Sequence, residues 1–147
     1  MTKESDTKES DGVLLTDGRS RVFLHPPTPY RDGHGFHHQV DLVGGPFEGS
    51  IIATSYEGSR TLGSFHRELV ALYRSLKGEA YLPRSYENLR VSLKGDGLGH
   101  MTVQADALAG DCMETRLSFN FRIDQTQLLD VIADVERLFL EPAREDR

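Results

Sequence analysis

Apolar residues recur at every second position through most of the chain, a period typical of β-strands with one buried face. The clearest alternation covers residues 36–42, 89–93, 101–107 and 117–123. Asp17-Gly18 and Gly44-Gly45-Pro46 separate further short apolar runs and are typical of hairpin turns. Because neighbouring strands joined by tight turns pair antiparallel, we predict an antiparallel sheet with one face in water.

Two segments have apolar residues three and four positions apart instead, which indicates α-helices near 62–77 and 125–140. Thr61 or Ser64 is suited to cap the first helix, and Asp124 the second. The order of strands and helices predicts an α+β fold. We expect a single curved antiparallel sheet of about six or seven strands, with both helices packed on one face.

The two ends of the chain differ in composition from its body. Residues 1–11 repeat the segment TKESD and carry four acidic residues against two lysines, so we predict a disordered acidic tail. Residues 141–147 are predicted to form a frayed C-terminal tail. Residues 12–140 are predicted to form a single α+β domain.

The segment "SLKGDGLGHMTVQA", residues 92–105, has the spacing G-x-G-x-G. A dinucleotide fingerprint needs G-x-G-x-x-G before a helix, and here an alternating strand follows, so the glycines indicate a hairpin turn. Leu93 and Met101 should share the core face. We therefore predict that they lie opposite one another, with a bulge or long loop at 95–99.

Charge and cysteine content restrict the classes of function and the cellular compartment that the sequence is compatible with. Without the two tails the chain carries 13 basic and 16 acidic residues, a net charge of −3, which disfavours nucleic-acid binding. Cys112 is the only cysteine, so no internal disulfide forms. No apolar run approaches the length of a membrane span, and we expect a cytoplasmic protein.

The search for catalytic groups gives one candidate region, residues 25–38. There Asp32, His34 and either His37 or His38 have the chemistry of metal ligands, but adjacent strand residues point to opposite faces. Cys112 follows Asp111, which disfavours a reactive thiolate. The sequence therefore predicts no catalytic residue, no metal and no cofactor.

An ordered set of short motifs covers residues 13–140. It consists of "DGHGFHHQVDL", F-x-x-E-L running into "SLKGEAYL", the "GDGLGHMTV" hairpin, and F-x-I-D-Q-T-Q-L before the last helix. This set resembles a small bacterial family of unknown function similar to WapI-type immunity proteins. The resemblance implies an immunity protein that binds and neutralises the C-terminal domain of a polymorphic toxin.

Loops beside a sheet tolerate the sequence variation that partner matching demands. We therefore predict protein-binding contacts at Tyr30, Asp32, His34 and Asp96. Two alternatives stay open at this point. One is an enzyme, metal-dependent or otherwise unrecognised, that uses the 25–38 loop; the other is a regulatory or scaffold protein without a toxin partner.

Overall fold

A computed structural model describes residues 11–140 and confirms the α+β class. In that part of the chain nine strands and two α-helices follow one another. A 3-10 turn, Ser59–Leu62, precedes the first α-helix, and a π-helical segment, Glu136–Leu140, continues the second. The elements are β1 Val13–Thr16, β2 Arg21–Leu24, β3 Thr28–Pro29, β4 Phe36–Gly44, β5 Phe47–Ser55, α1 Gly63–Ser75, β6 Lys77–Tyr81, β7 Leu89–Asp96, β8 His100–Ala109, β9 Thr115–Asp124 and α2 Gln125–Val135.

The strands form two antiparallel sheets, so the prediction of a single sheet of six or seven strands is wrong. In the first sheet β4 lies between β5 on one side and β2 with β3 on the other, and β1 pairs with β2. The second sheet has the order β6-β7-β8-β9. Within residues 11–140 no strand of one sheet pairs with a strand of the other, and an isolated bridge joins Ser55 of β5 to Tyr86 in the connector before β7. Alternation specifies which face of a strand is buried, but it does not specify which strand lies beside it.

The β7–β8 hairpin has a different register from the one predicted. Leu93 pairs with Val103, and Met101 pairs with Gly95, so Leu93 and Met101 are not opposite one another. The hairpin is nevertheless not a two-residue turn, because three residues, 97–99, separate the strands. Leu93 and Met101 are both fully buried, as their shared face requires. A Cβ added to Gly95 would collide with the backbone oxygen of Leu76 at the end of α1, so glycine is the residue that fits at this position.

Both predicted helices are present and bury one stripe each. Phe65, Leu69 and Leu72 of α1 are at most 1% exposed. Leu128, Val131 and Val135 of α2 are equally buried. These stripes and the inner faces of both sheets form one continuous apolar core, in which each buried Leu or Phe contributes roughly 1.5–3 kcal/mol. No helix in residues 11–140 is both long enough and apolar enough to span a membrane.

The helix ends differ slightly from those expected. Neither Thr61 nor Ser64 caps α1 with its side chain, and the 3-10 turn leads directly into the helix. Leu76 adopts the left-handed conformation that closes α1, with φ of 65°. The tails predicted at 1–11 and 141–147 lie outside the described residues except for Asp11, whose carboxylate accepts a hydrogen bond from Arg137 at 2.9 Å.

Candidate functional site

Three of the four predicted contact residues lie together on the loop between β3 and β4. The backbone N–H of Tyr30 donates to Gly35 O at 3.1 Å and closes the loop. Asp32 accepts the backbone N–H of His34 at 2.9 Å. Tyr30, Asp32 and His34 are all exposed, and the Tyr30 ring packs on His37 with centroids 4.9 Å apart. The loop is thus ordered and accessible, and its role in binding stays a prediction.

Asp96, the fourth predicted residue, belongs to a different part of the molecule. It ends β7 and accepts backbone N–H groups from Leu98 at 2.7 Å and His100 at 3.1 Å. These hydrogen bonds hold the pKa of Asp96 below its usual range. The other three residues lie just before Phe36, whose ring contacts Tyr86 beyond the opposite end of β7. An eight-residue strand spans roughly 25 Å, so the structure does not bring Asp96 to the other three.

Of the candidate metal ligands of residues 25–38, Asp32 and His34 approach within 3.8 Å on the loop, but His38 does not join them. His25 Nε2 lies 2.8 Å from a carboxylate oxygen of Asp41. His38 points into the core at 3% exposure, whereas Asp32 and His34 are exposed on the loop. Among residues 11–140 no group of three or more His, Cys, Asp or Glu side chains is arranged to hold a metal ion.

His38 belongs to a buried polar pair that the sequence did not reveal. Its Nδ1 lies 2.7 Å from His25 O, and its Nε2 lies 2.7 Å from the hydroxyl of Tyr86. A carbonyl oxygen only accepts hydrogen bonds, so Nδ1 carries the proton and donates to it. Nε2 must then accept the proton of the Tyr86 hydroxyl. The pair crosses from β4 to the connector before β7 and is enclosed by Phe36 and Phe139.

Burial sets the protonation state of this pair. Loss of hydration lowers the pKa of His38 to about 4. The same loss raises the pKa of the Tyr86 hydroxyl far above its usual range. Both groups are therefore neutral at pH 7. A neutral pair at 3% and 1% exposure is out of reach of a substrate and acts as part of the core.

A second cluster contains the residue types of a serine hydrolase but not their geometry. On the outer face of the first sheet, Asp41 lies 2.8 Å from His25 and accepts the Ser50 hydroxyl at 2.6 Å. A catalytic serine donates to the histidine, and the carboxylate orients that histidine from the far side. Here the carboxylate stands between the two. Partial burial raises the pKa of Asp41, but hydrogen bonds from Ser50, Gln39 and His25 outweigh it and hold the pKa below its usual range.

A depression of about 590 Å³ lies along the outer face of the second sheet. Two of its charged side chains are engaged with their neighbours. Glu68 accepts the backbone N–H of Tyr81 at 2.8 Å, and burial raises the pKa of Glu68. Arg90 donates to backbone carbonyls of Tyr86 and Leu89. The depression offers hydrogen-bonding groups to a partner but does not pair a nucleophile with a base.

Cys112 lies at the exposed turn between β8 and β9. Its backbone N–H donates to Glu114 at 3.0 Å, and Gly110 and Met113 complete the turn with positive φ angles. Cys112 is thus an exposed thiol on this turn.

The family model of the immunity protein WapI-like family matches residues 36–141. That match covers well over half of the chain, and the chain therefore belongs to this family. No curated protein matches the chain. The resemblance given by the sequence motifs is confirmed, and membership implies a protein-binding, non-enzymatic role.

Proposed function

We propose that this protein is a bacterial immunity protein that neutralises the toxic C-terminal domain of a polymorphic toxin by binding it one-to-one in the cytoplasm. The observation that carries the proposal is the match of residues 36–141 to the WapI-like immunity family. The geometry supports it, because His25, Asp41 and Ser50 have the residue types of a catalytic triad but are hydrogen-bonded in the wrong order.

The predicted contacts of the β3–β4 loop belong to this proposal. Tyr30 presents a large aromatic surface at 39% exposure, and aromatic residues are frequent anchors in protein interfaces. The loop lies beside the end of β5, because a Cβ added to Gly35 would meet the backbone of Ser55 and Tyr56. Asp96 is a proposed contact only for a partner large enough to reach around the second sheet.

The test is a titration of the purified toxin domain encoded beside the gene for this chain. The residual toxic activity should fall linearly and end at about one equivalent of this protein, since each copy blocks one toxin. Tyr30→Ala should weaken the binding, whereas the matched substitution Tyr81→Ala, on the second sheet at 50% exposure, should not. Full protection at a small fraction of one equivalent would mean turnover and would overturn the proposal.

A binding protein without a toxin partner would give a different result in the same experiment. Neither protection nor a complex would form with the neighbouring toxin domain. Co-expression in cells checks the same point, because a true immunity protein restores the growth that the toxin domain prevents. Failure of both assays would refute toxin neutralisation.

A further inference from the structure

A groove runs between β5 and the far end of the β8–β9 hairpin. One part of it encloses about 310 Å³ between Phe47, Ile51 and Leu117. A second part of about 390 Å³ continues past Ile52 to Met113. Ser50, Ile51 and Ala109 line both parts, so the two form one surface. We call this surface the β5 groove.

The β5 strand borders the groove with an edge that is only half covered. Asn88 Nδ2 donates to Ile52 O at 2.9 Å, and Asn88 Oδ1 accepts Thr54 N–H at 3.2 Å. Alternate residues of a strand direct their N–H and C=O groups to the same side, so Glu48 and Ser50 face this edge too. Within residues 11–140, β5 pairs over that stretch with β4 alone. The backbone groups of Glu48 and Ser50 are therefore open to a further strand.

Large apolar side chains lie exposed along the same groove. Phe47 is 66% exposed, Ile52 is 55% exposed and Met113 is 43% exposed. Ile51 and Ile52 are neighbours in one strand, so one of them must lie on the outer face of the sheet. Exposed apolar groups that lie together around a depression mark interaction sites more often than isolated ones do.

Acidic side chains surround these apolar groups. Glu48 and Asp111 line the groove and are exposed. Glu114 is exposed on the β8–β9 turn, with its carboxylate beside Gly110, and Glu87 is exposed beside Asn88. Among the described residues that line the groove, Arg116 is the one cation. A second copy of this chain would bring the same carboxylates against these, and like charges oppose such pairing. The charge fits a basic partner instead.

We infer that the β5 groove docks a basic, extended segment of the toxin domain, which adds as a strand to the free edge of β5. The inference rests on the proposed function and adds a second contact surface to the β3–β4 loop. Backbone groups of Glu48 and Ser50 hold the added strand, as in other cases of strand addition. Apolar side chains of that segment cover Phe47, Ile52 and Met113, and its basic side chains face the acidic rim.

The experiment measures the affinity of the toxin domain for pairs of matched variants. Ile52→Lys places a charge in the groove, whereas Leu129→Lys makes the same change on α2 at 53% exposure. Glu48→Lys and the exposed Asp130→Lys each alter the net charge by the same amount, so only the local position differs. We expect the two groove variants to bind at least tenfold more weakly and the two α2 variants to stay close to the unsubstituted protein.

Amide hydrogen exchange of the complex tests the strand addition itself. The N–H groups of Glu48 and Ser50 should exchange freely in the protein alone and be protected in the complex. Unaltered exchange at both amides, or equal loss of affinity in the groove and α2 variants, overturns the inference while one-to-one neutralisation stands. Dimers of this protein that Ile52→Lys dissolves would overturn it in favour of a second copy. Failure of the unsubstituted protein to bind any toxin domain refutes the proposed function as well.

Discussion

The buried His38 should make the protein less stable as the solution is acidified. Its side chain is 3% exposed, and loss of hydration lowers its pKa from the ordinary 6.5 to about 4. In the unfolded chain the imidazole regains its ordinary pKa and binds a proton below pH 6.5. The unfolded state then binds more protons than the folded state, so the free energy of unfolding decreases as the pH is lowered.

The sign and the window follow from these two pKa values. A neutral buried histidine contributes its full stability above pH 6.5, and this contribution is lost progressively down to about pH 4. Each unit of difference is worth about 1.4 kcal/mol. Between pH 7 and about pH 4.5 we expect the free energy of unfolding to fall by about 2.5 kcal/mol through His38 alone, a large share of the stability of a small domain.

The assay is urea unfolding at several pH values for the natural chain and for His38→Gln. A glutamine amide donates through nitrogen and accepts through oxygen, so it retains a partner for His25 O and the Tyr86 hydroxyl but does not titrate. The variant should therefore lack the loss between pH 6.5 and about pH 4.5. Its absolute stability does not enter the argument, because only the slope against pH is compared.

Carboxyl groups also titrate in this experiment. Their contributions to the pH dependence are the same in the natural chain and in His38→Gln, so they cancel in the comparison. The lowered pKa of Asp41 contributes stability that is lost as the pH falls through its folded-state pKa, below the ordinary 3.8. Burial raises the pKa of Glu68, which acts in the opposite sense. Equal slopes for the natural chain and His38→Gln would refute the reasoning. They would mean that His38 accepts a proton in the folded state without lowering the free energy of unfolding.

Two further substitutions test the core and the β3–β4 loop by chemical denaturation. Tyr86→Phe removes the hydroxyl that donates to His38 and should lower the free energy of unfolding by about 1–3 kcal/mol, whereas Tyr81→Phe at an exposed site should change it little. No difference between them would show that the buried hydrogen bond contributes nothing. Gly35→Ala should destabilise by more than about 1 kcal/mol, because φ is +104° and the new Cβ meets a backbone carbonyl of β5. Gly18 also has a positive φ, +94°, but an added Cβ would meet open space there, so Gly18→Ala is the control. An equal loss of stability in the two variants would show that the clash at Gly35 contributes nothing.

Local chemistry in the sequence determined the elements and their buried faces. Alternation assigned Phe36, His38, Val40 and Leu42 to one face of β4, and all four are buried. The three- and four-residue spacing located both helices to within a few residues, although α1 closes at Leu76. These features depend on neighbours along the chain, and the pattern of apolar residues records such neighbours directly.

Pairing between distant segments was decided by the tertiary structure. The sequence around β5 does not indicate that Asn88 hydrogen-bonds to the edge of β5. It also does not indicate that β6 is the first strand of a second sheet. The register of Leu93 was mispredicted for the same reason, because a shared face is compatible with several pairings two residues apart.

The same distinction between local and distant segments applies to the candidate sites. Tyr30, Asp32 and His34 were predicted as an exposed loop, since turn residues are recognisable locally. The β5 groove was not predicted, because its walls come from strands some sixty residues apart. The adjacent Ile51 and Ile52 were the signal in the sequence, since a strand must expose one of them unless both faces are covered. Only the folded chain shows that Ile52 remains exposed beside an uncovered edge.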